Sequence, residues 1–563
     1  MVYIIRLKIS FILAVLTVSS ANSIAQALHS ARTQPANPGS SSMPEGIPRI
    51  TSNEGRTQLL VNGKPFIILG GQAHNSSASN LNDIEHVYNV LDNLHADTAE
   101  IPISWNLLEP QPGQFDFHLV DGAIERARAH DLHLIFLWFG TTKNATLAYV
   151  PDWIKRDRAK YFRALDARNQ EMEAISPFCG PALEADQRAF SNLMQHIREF
   201  DGQQHTVILV QVENETGLLG TDRDYSAVAT RAFNGQVPAN LIAYMVEHKD
   251  DLRPALHDSW EQQGFSKRGS WTEVFGDLAP EVFSAWATAH YVDEVAAAGK
   301  AVYGLPYYIN VALMNTGSAR PGDWPSGGAT DHVIDIWKAT AKHIDIIAPD
   351  IYRVDFPQMA KLYSRPDNVL FVPETGFAPY YAPYVFTTLA GLNGIGFSPF
   401  GVDHGYDGSV QSSSVAALEE NYRVLRPLLP IIIREQYHHT LFPIVLDFYR
   451  HESFAIPLGD SLSAVVHFDE TFKADTSAHR GGGMIIKLAA DKFVVAGNGF
   501  HVEFVELKGA QRNPEYLSIE EGTFHGDHWS VTRVLNGDEE RVYLRPHEPR
   551  ILLVTLNHKN ENK

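Results

Sequence analysis

Short apolar runs alternate with amphipathic stretches along residues 50–400 of the chain. Eight of the runs have strand length: Phe66–Gly70, Thr98–Ile103, Leu132–Trp138, Val207–Val212, Tyr307–Val311, Ile344–Ala348, Val369–Val372 and Gly394–Ser398. Helical spacing of apolar residues marks Ile84–Leu94, Val120–His130, Arg188–Phe200, Glu281–Ala298, Val333–Lys342 and Pro383–Leu392. Eight strands that alternate with helices predict an α/β fold, a (β/α)8 TIM barrel.

An open, doubly wound sheet is the alternative interpretation of this pattern. That fold would need a glycine-rich phosphate loop after the first strand, and residues 70–73 read Gly-Gly-Gln-Ala, which is not such a loop. The connection from Gly217 to Pro306 is long and rich in aromatic residues. Long loops that follow strands build the sites of TIM barrels, so we expect this insertion to shape a cleft.

The pattern changes after about residue 430, where short alternating or β-branched segments are separated by Gly, Asn and Asp turns. These segments are Ser463–Phe468, Met484–Ala489, Lys492–Ala496, His501–Leu507, His528–Leu535, Arg541–Leu544 and Arg550–Leu556. They are typical of an antiparallel β-sandwich. We therefore expect a barrel domain over 49–425 and an all-β C-terminal sandwich domain over 430–563.

The N-terminus has the pattern of an export signal. Arg6 and Lys8 precede a short apolar core, Ile9–Leu16, and small residues follow it. We expect a signal peptide over 1–26 and a flexible linker over 27–48; a retained N-terminal anchor is the alternative. Because the chain has a single cysteine, we expect export to a bacterial periplasm, with secretion left open. No other apolar stretch is long enough to predict a membrane span in the mature protein.

The composition is that of a globular protein, with 44% hydrophobic and 20% charged residues among 563. The formal net charge is −20 and the sequence has no basic cluster, so we expect no nucleic-acid partner. The histidines are dispersed, without the spacing of a His-Glu-x-x-His motif. We therefore expect neither a metal ion nor another cofactor.

Two of the predicted strands end in glutamates. Residues 207–217 read Val-Ile-Leu-Val-Gln-Val-Glu-Asn-Glu-Thr-Gly, and residues 369–376 read Val-Leu-Phe-Val-Pro-Glu-Thr-Gly. A carboxylate at the end of a core strand is costly to bury and often marks a functional site. The C-terminal ends of barrel strands meet at one mouth, so the pattern indicates the paired carboxylates of a retaining glycoside hydrolase. After the strand that begins at Val207, Glu215 is nearer the mouth than Glu213, and Glu213 could instead point into the barrel core.

Four motifs resemble those of family 35 glycoside hydrolases, the β-galactosidases. Residues 211–217 resemble the signature Gln-x-Glu-Asn-Glu-Tyr-Gly, and residues 105–110, Trp-Asn-Leu-Leu-Glu-Pro, resemble Trp-Asn-x-His-Glu-Pro. Residues 70–74 resemble the family's first-strand Gly-x-x-x-His, and residues 151–153 resemble its Pro-x-Trp. The resemblance covers about residues 55–405 and is to a divergent bacterial branch with a C-terminal β-sandwich.

The resemblance implies a retaining exo-β-galactosidase that removes terminal β-D-galactose from oligosaccharides, with xyloglucan fragments as a candidate substrate. It implies that Glu215 is the acid/base, that Glu374 is the nucleophile and that Asn214 binds the sugar 2-hydroxyl. Tyr352 is placed to hydrogen-bond Glu374. Further substrate-binding candidates at the predicted strand ends are His74, Trp105, Asn144 and Asn310.

Three positions depart from the family pattern. Pro102 replaces a tyrosine, Leu108 replaces a histidine, and Asn144 replaces a glutamate that binds galactose hydroxyls in the family. These departures keep open another retaining β-glycosidase that acts on an arabinoside, glucoside or mannoside. A non-catalytic carbohydrate-binding protein is the alternative of a different class, and the presence of both glutamates with the preceding asparagine argues against it.

Overall fold

The computed structural model describes residues 46–403, 412–446, 453–468, 481–507 and 513–557. Within the first of these ranges it leaves out residues 54 and 316. The predicted signal peptide and all but the last three residues of the predicted linker lie outside this described part. The described chain begins with a small antiparallel sheet of β1 (Arg49–Asn53), β2 (Arg56–Val61) and β3 (Lys64–Phe66). Leu59 and Val61 of β2 belong to the same buried cluster as the inward-facing residues of the central sheet. This sheet therefore covers one end of that core.

The central sheet is parallel and closes almost completely into a TIM-like barrel. Its strands are β4 Ile68–Gln72, β5 Thr98–Ser104, β6 His133–Lys143, β9 Val207–Asn214, β10 Tyr307–Ala312, β11 Ile346–Ile351, β12 Phe371–Val372, β13 Glu374–Thr375 and β14 Gly396–Phe397. Their order in the sheet is β12-β14-β4-β5-β6-β9-β10-β11-β13. A separate hairpin of β7 (Arg163–Leu165) and β8 (Glu171–Ile175) lies in the loop after β6.

Pro373 divides the seventh barrel strand into two segments. β12 pairs with β14, whereas β13 pairs with β11, so the two segments bind the neighbours on opposite sides. Proline has no backbone N–H to donate to a ladder, which accounts for the break at this residue. The nine segments thus occupy eight strand positions, and the predicted (β/α)8 fold is confirmed.

Helices surround the barrel. Their bounds are Leu81–Asn93, Trp105–Leu108, His118–Ala129, Asp152–Arg156, Gly180–Asp201, Ala227–Phe233, Ala239–Glu247, Pro254–Gln262, Trp271–Phe275, Ala279–Lys300, Ile334–Thr340, Phe356–Tyr363, Tyr384–Phe386, Ser412–Leu425 and Leu429–Glu435. The predicted helix Pro383–Leu392 is instead a short α-helical turn followed by a π-helical turn, Thr387–Gly391. In the described part of the chain, none of the helices combines the length and apolarity needed to cross a membrane.

The C-terminal region contains two antiparallel sheets, as predicted. Their strands are β15 Leu441–Val445, β16 Phe454–Pro457, β17 Leu462–Phe468, β18 Gly482–Lys487, β19 Lys492–Asn498, β20 Phe500–Glu506, β21 Glu515–His525, β22 His528–Leu535, β23 Val542–Leu544 and β24 Arg550–Asn557. One sheet has the order β15-β18-β19-β24-β21-β22 and the other the order β16-β17-β20-β23. The domain boundaries at 425 and 430 stay predictions.

Strands β18, β19 and β24 of the six-stranded sheet are buried on both faces. Ile485 and Val495 lie in the sandwich core, whereas their neighbours Met484, Ile486 and Val494 belong to the large cluster that surrounds the barrel. Successive residues of a strand point to opposite faces, so one sheet serves two cores. The barrel therefore packs against one face of the six-stranded sheet, and the four-stranded sheet packs against the other. The outer face of the four-stranded sheet points away from the barrel.

Candidate active site

The two glutamate-bearing strands converge at the mouth of the barrel. Glu215 directly follows β9, which is buried along its whole length, and Glu374 begins β13. Carboxylate oxygens of Glu215, Glu374 and Asp350, which lies in β11, are within 4.8 Å of one another. The structure thus brings together the two glutamates identified in the sequence and adds a third carboxylate.

Glu374 is held by a donor to each of its oxygens. The Tyr352 hydroxyl donates to Oε1 at 2.7 Å, and the Gln72 side-chain amide donates to Oε2 at 3.3 Å. Glu374 is only 6% exposed, whereas Tyr352 is 45% exposed at the mouth. These contacts fix the orientation of the carboxylate, and the sequence pattern had anticipated the tyrosine but not Gln72.

Glu215 lies between two asparagine side chains and two other carboxylates. The side-chain amide of Asn144 donates to its Oε2, and its backbone N–H donates to Oδ1 of Asn310 at 2.9 Å. Burial and then the charge of Glu374 raise the pKa of Glu215 from 4.5 to about 7, against the lowering effect of the Lys143 ammonium. Such a carboxyl can hold a proton near neutral pH.

Asn214 is completely buried beside the two glutamates. Its Oδ1 accepts a hydrogen bond from the Lys143 ammonium at 2.9 Å. Its Nδ2 is buried and has no hydrogen-bond partner within the described part of the chain. A buried donor without a partner costs about 1–3 kcal/mol, so a ligand that accepts from this amide would recover free energy.

Asn310 and Asp350 form a hydrogen-bonded pair under the site. Asn310 donates from Nδ2 to Asp350 at 2.7 Å while its Oδ1 holds the backbone of Glu215. Burial and then the charges of Glu374 and Glu215 raise the pKa of Asp350 well above its ordinary value. Asn310, predicted to bind substrate, is thus a buried residue that positions the glutamate segment. Asp350 had no assigned role in the sequence, and its place at a strand end was the signal for it.

Glu213 and Glu215 lie in different surroundings although only one residue separates them. Glu213 accepts hydrogen bonds from the backbone N–H groups of Thr141 at 3.1 Å and Thr142 at 2.6 Å. Burial and then the charge of Asp186 raise the pKa of Glu213 well above its ordinary value. Both glutamates have left-handed backbone conformations, with φ of 61° and 43°, which non-glycine residues adopt mostly at functional or strained positions. Glu213 therefore belongs to the core and Glu215 to the mouth.

Two predicted substrate-binding residues lie away from these contacts. Trp105 is completely buried, and its indole N–H donates to Glu109 at 2.8 Å. A side chain without accessible surface cannot contact a sugar, so the predicted role of Trp105 is corrected to packing. His74 follows β4, where its backbone N–H donates to Asp403 at 3.0 Å and its ring lies 5.3 Å from that of Phe400. Its role in substrate binding stays a prediction.

A cavity of about 270 Å³ opens beside Glu215 and Asp350. Its other lining residues include Asn144, Tyr352 and Trp324. Trp324 also lines a neighbouring cavity of about 930 Å³. Convergent polar groups with perturbed pKa values in a concave pocket are typical of an active site.

Residues 76–291 match a family model described as "Beta-galactosidase", that of glycoside hydrolase family 42. The matched segment includes Asn214 and Glu215. This match supports a glycoside hydrolase. A second model, described as a domain of unknown function, matches residues 418–546 in the C-terminal region. No curated protein matches the chain.

Solved structures similar to this chain include the β-galactosidase of Bacillus circulans sp. alkalophilus, with 14% identity, a TM-score of 0.44, and coverage of 64% of this chain and 56% of that one. The β-galactosidase of the psychrophilic Marinomonas ef1 has 13% identity, a TM-score of 0.44, and coverage of 65% and 60%. The catalytic domain of the β-amylase of Paenibacillus polymyxa has 12% identity, a TM-score of 0.43, and coverage of 63% and 97%. The aligned part spans less than two thirds of the two β-galactosidase chains.

Proposed function

We propose that the protein is a retaining exo-β-galactosidase, of family 35 or a relative of it, that removes terminal β-D-galactose from oligosaccharides. The observation that carries the proposal is the approach of Glu215 and Glu374, whose carboxylate oxygens lie within 4.8 Å of each other. Retaining glycosidases hold their two carboxyl groups about 5–5.5 Å apart, whereas inverting enzymes need about 6.5–9.5 Å to admit a water molecule. The short separation supports double displacement.

In the proposed mechanism, protonated Glu215 donates its proton to the glycosidic oxygen while ionised Glu374 attacks the anomeric carbon. The bond to the leaving group breaks, and a covalent glycosyl-enzyme forms on Glu374. Glu215 then removes a proton from water, which attacks the same carbon and releases the sugar with its configuration retained. The raised pKa of Glu215, about 7, suits a group that must act first as acid and then as base.

The neighbouring residues would bind and orient. The free amide donor of Asn214 can bind a hydroxyl of the sugar, and Lys143 fixes that amide through its other end. Tyr352 keeps the Glu374 carboxylate in one orientation through the bond to Oε1. The small volume of the cavity beside Glu215, about 270 Å³, supports removal of single terminal sugars.

Azide rescue tests both roles separately. Glu374→Gly and Glu215→Gly should each abolish hydrolysis of a phenyl β-galactoside while the melting temperature stays close to that of the wild type. With azide and an activated aryl galactoside, Glu374→Gly should give the α-galactosyl azide and Glu215→Gly the β-anomer, because azide replaces the nucleophile in one variant and water in the other. Near-normal hydrolysis by either variant, or the opposite anomers, would refute the assignment. A wild-type protein that cleaves no aryl glycoside would favour a carbohydrate-binding protein.

A second candidate is another retaining β-glycosidase of the same barrel type. Asn144 stands where the resemblance places a galactose-binding glutamate, and its amide is bound to Glu215. This contact favours a sugar that needs no carboxylate at that position. Relative kcat/KM values for aryl β-galactoside, β-glucoside, β-mannoside and α-L-arabinoside decide between the two candidates.

We further propose that the enzyme is exported to a bacterial periplasm and acts on galactose at the ends of xyloglucan fragments. The N-terminal pattern of residues 1–26 supports export. Galactose release from purified xyloglucan oligosaccharides tests the substrate. Cleavage of a simple galactoside without such release would contradict it.

A further inference from the structure

Two histidines and a glutamate lie together on the outer face of the four-stranded sheet. His467 of β17 and His501 of β20 are direct cross-strand partners, and their rings stack with centroids 4.6 Å apart. Glu503 is two residues further along β20 and therefore points to the same face. One ligand atom from each of the three side chains lies within 4.8 Å of the other two.

The surroundings of His467 leave one ring nitrogen for a ligand. Its Nδ1 is 2.7 Å from the Ser453 hydroxyl oxygen. Its Nε2 is buried and has no hydrogen-bond partner in the described part of the chain. Histidines that bind metals commonly donate the N–H of the other nitrogen to an oxygen, which fixes the tautomer and the ring orientation. Ser453 is placed to accept that bond and to leave the Nε2 lone pair for an ion.

The cluster faces a cavity of about 830 Å³, which Tyr516, Arg541 and Tyr543 also line. This cavity lies on the sheet that does not pack against the barrel. The residues of the cluster are therefore separate from Glu215 and Glu374, and the site would function independently of the proposed glycosidase.

We propose that His467, His501 and Glu503 form a binding site for a divalent transition-metal ion, with zinc as the best match. Two imidazoles and one carboxylate are a donor set found in zinc sites, whereas calcium and magnesium prefer oxygen ligands alone. Three protein ligands leave one position of a tetrahedral ion facing the cavity. That position would take water or an oxygen atom of a bound molecule.

Calorimetric titration of the EDTA-treated full-length protein with Zn²⁺ tests the site. The wild type should bind one ion tightly. His467→Gln and His501→Gln should each weaken Zn²⁺ binding by at least about 100-fold. Loss of a hydrogen bond to a ligand already lowers metal affinity by about 10–100-fold, and loss of the ligand itself should lower it at least as much. Ser453→Ala should weaken binding by about 10–100-fold through the His467 ring. Glu503→Gln changes an exposed side chain, so it removes a ligand without disturbing a core.

Two controls separate this site from other ligands of the chain. His257→Gln alters a different cluster, on the exposed face of helix Pro254–Gln262, and Glu215→Gln/Glu374→Gln removes two of the barrel carboxylates; neither should change the Zn²⁺ affinity. Absorption of bound Co²⁺ should show a tetrahedral site with nitrogen ligands, and the His467 variant should lose it. Absence of tight Zn²⁺ binding to the wild type, or unchanged affinity in folded His467→Gln and Glu503→Gln, would overturn the proposal.

Discussion

The pH dependence of turnover tests how the barrel adjusts Glu215. The pKa of this carboxyl rises from 4.5 to about 7, which corresponds to about 3 kcal/mol in favour of the protonated form. At pH 6 about nine tenths of the molecules would then carry the proton, whereas only about 3% would at a pKa of 4.5. Burial is the larger cause and the charge of Glu374 the second.

The direction of the effect follows from the role of the group. A general acid works in its protonated form. The titration of Glu215 should therefore leave kcat/KM for a phenyl β-galactoside constant below about pH 7 and make it fall about tenfold per pH unit above that value. The measurement is a kcat/KM profile of the wild type from about pH 4 to about pH 9. Asp350 lies beside Glu215 and its pKa is raised as well, so the observed value belongs to this pair of carboxyls.

Glu215→Gln supplies the decisive comparison. A dinitrophenyl galactoside needs no proton on its leaving group, so this variant should still form the glycosyl-enzyme, and its rate of formation should not fall above pH 7. Persistence of the same alkaline limb in Glu215→Gln would show that another group titrates. A wild-type limb centred near pH 4.5 would show that the site does not raise the pKa of Glu215, and either result would refute the reasoning.

Substitutions at three residues test individual contacts. Tyr352→Phe removes the 2.7 Å bond to Glu374 and should lower kcat by about 10–100-fold with little change in KM. The melting temperature should change little, since the residue is 45% exposed. An unchanged kcat would contradict the positioning role. Trp105→Ala should lower the free energy of unfolding by about 3–5 kcal/mol in chemical denaturation, whereas Trp105→Phe should leave KM unaltered. A large rise in KM for Trp105→Phe would contradict the packing role and indicate that Trp105 contacts the substrate. Glu213→Gln should lower the free energy of unfolding by about 1–3 kcal/mol but retain far more turnover than Glu215→Gln, and comparable kcat values for the two variants would show that the glutamates are misassigned.

The barrel could be predicted because its strands are apolar runs long enough to stand out from the helices between them. The ends of the strands were less predictable. The first strand extends to Gln72 and the sixth to Ile351, beyond the predicted ends at Gly70 and Ala348. Gln72 and Asp350 are polar residues inside strands, where they reach toward the mouth. The predicted strands end before Gly71 and Pro349, two residue types that usually interrupt strands, and therefore leave out the polar residues that follow them.

The aromatic residues show a second limit of the sequence. Trp105 lies at a predicted strand end, in a motif that resembles one of the family, and is therefore predicted to bind substrate. In the fold its ring lies 6.0 Å from that of Trp138 and 6.1 Å from that of Trp153, with Glu109 on its N–H. A tryptophan in the core and a tryptophan that stacks on a sugar ring have the same hydropathy. Only the tertiary contacts distinguish them.

The choice between Glu213 and Glu215 depends on a backbone property that the residue types do not encode. In a regular strand, residues two apart point to the same face, so both glutamates would share one environment. The left-handed φ at each of them interrupts that alternation. Glu213 then meets Asp186 on the outer side of the barrel, whereas Glu215 meets Glu374 at the mouth. Asp186 raises the pKa of Glu213, and Glu374 raises that of Glu215. Of these two glutamates only Glu215 borders the cavity of about 270 Å³ that can admit a sugar, and this difference in access supports Glu215 as the acid/base.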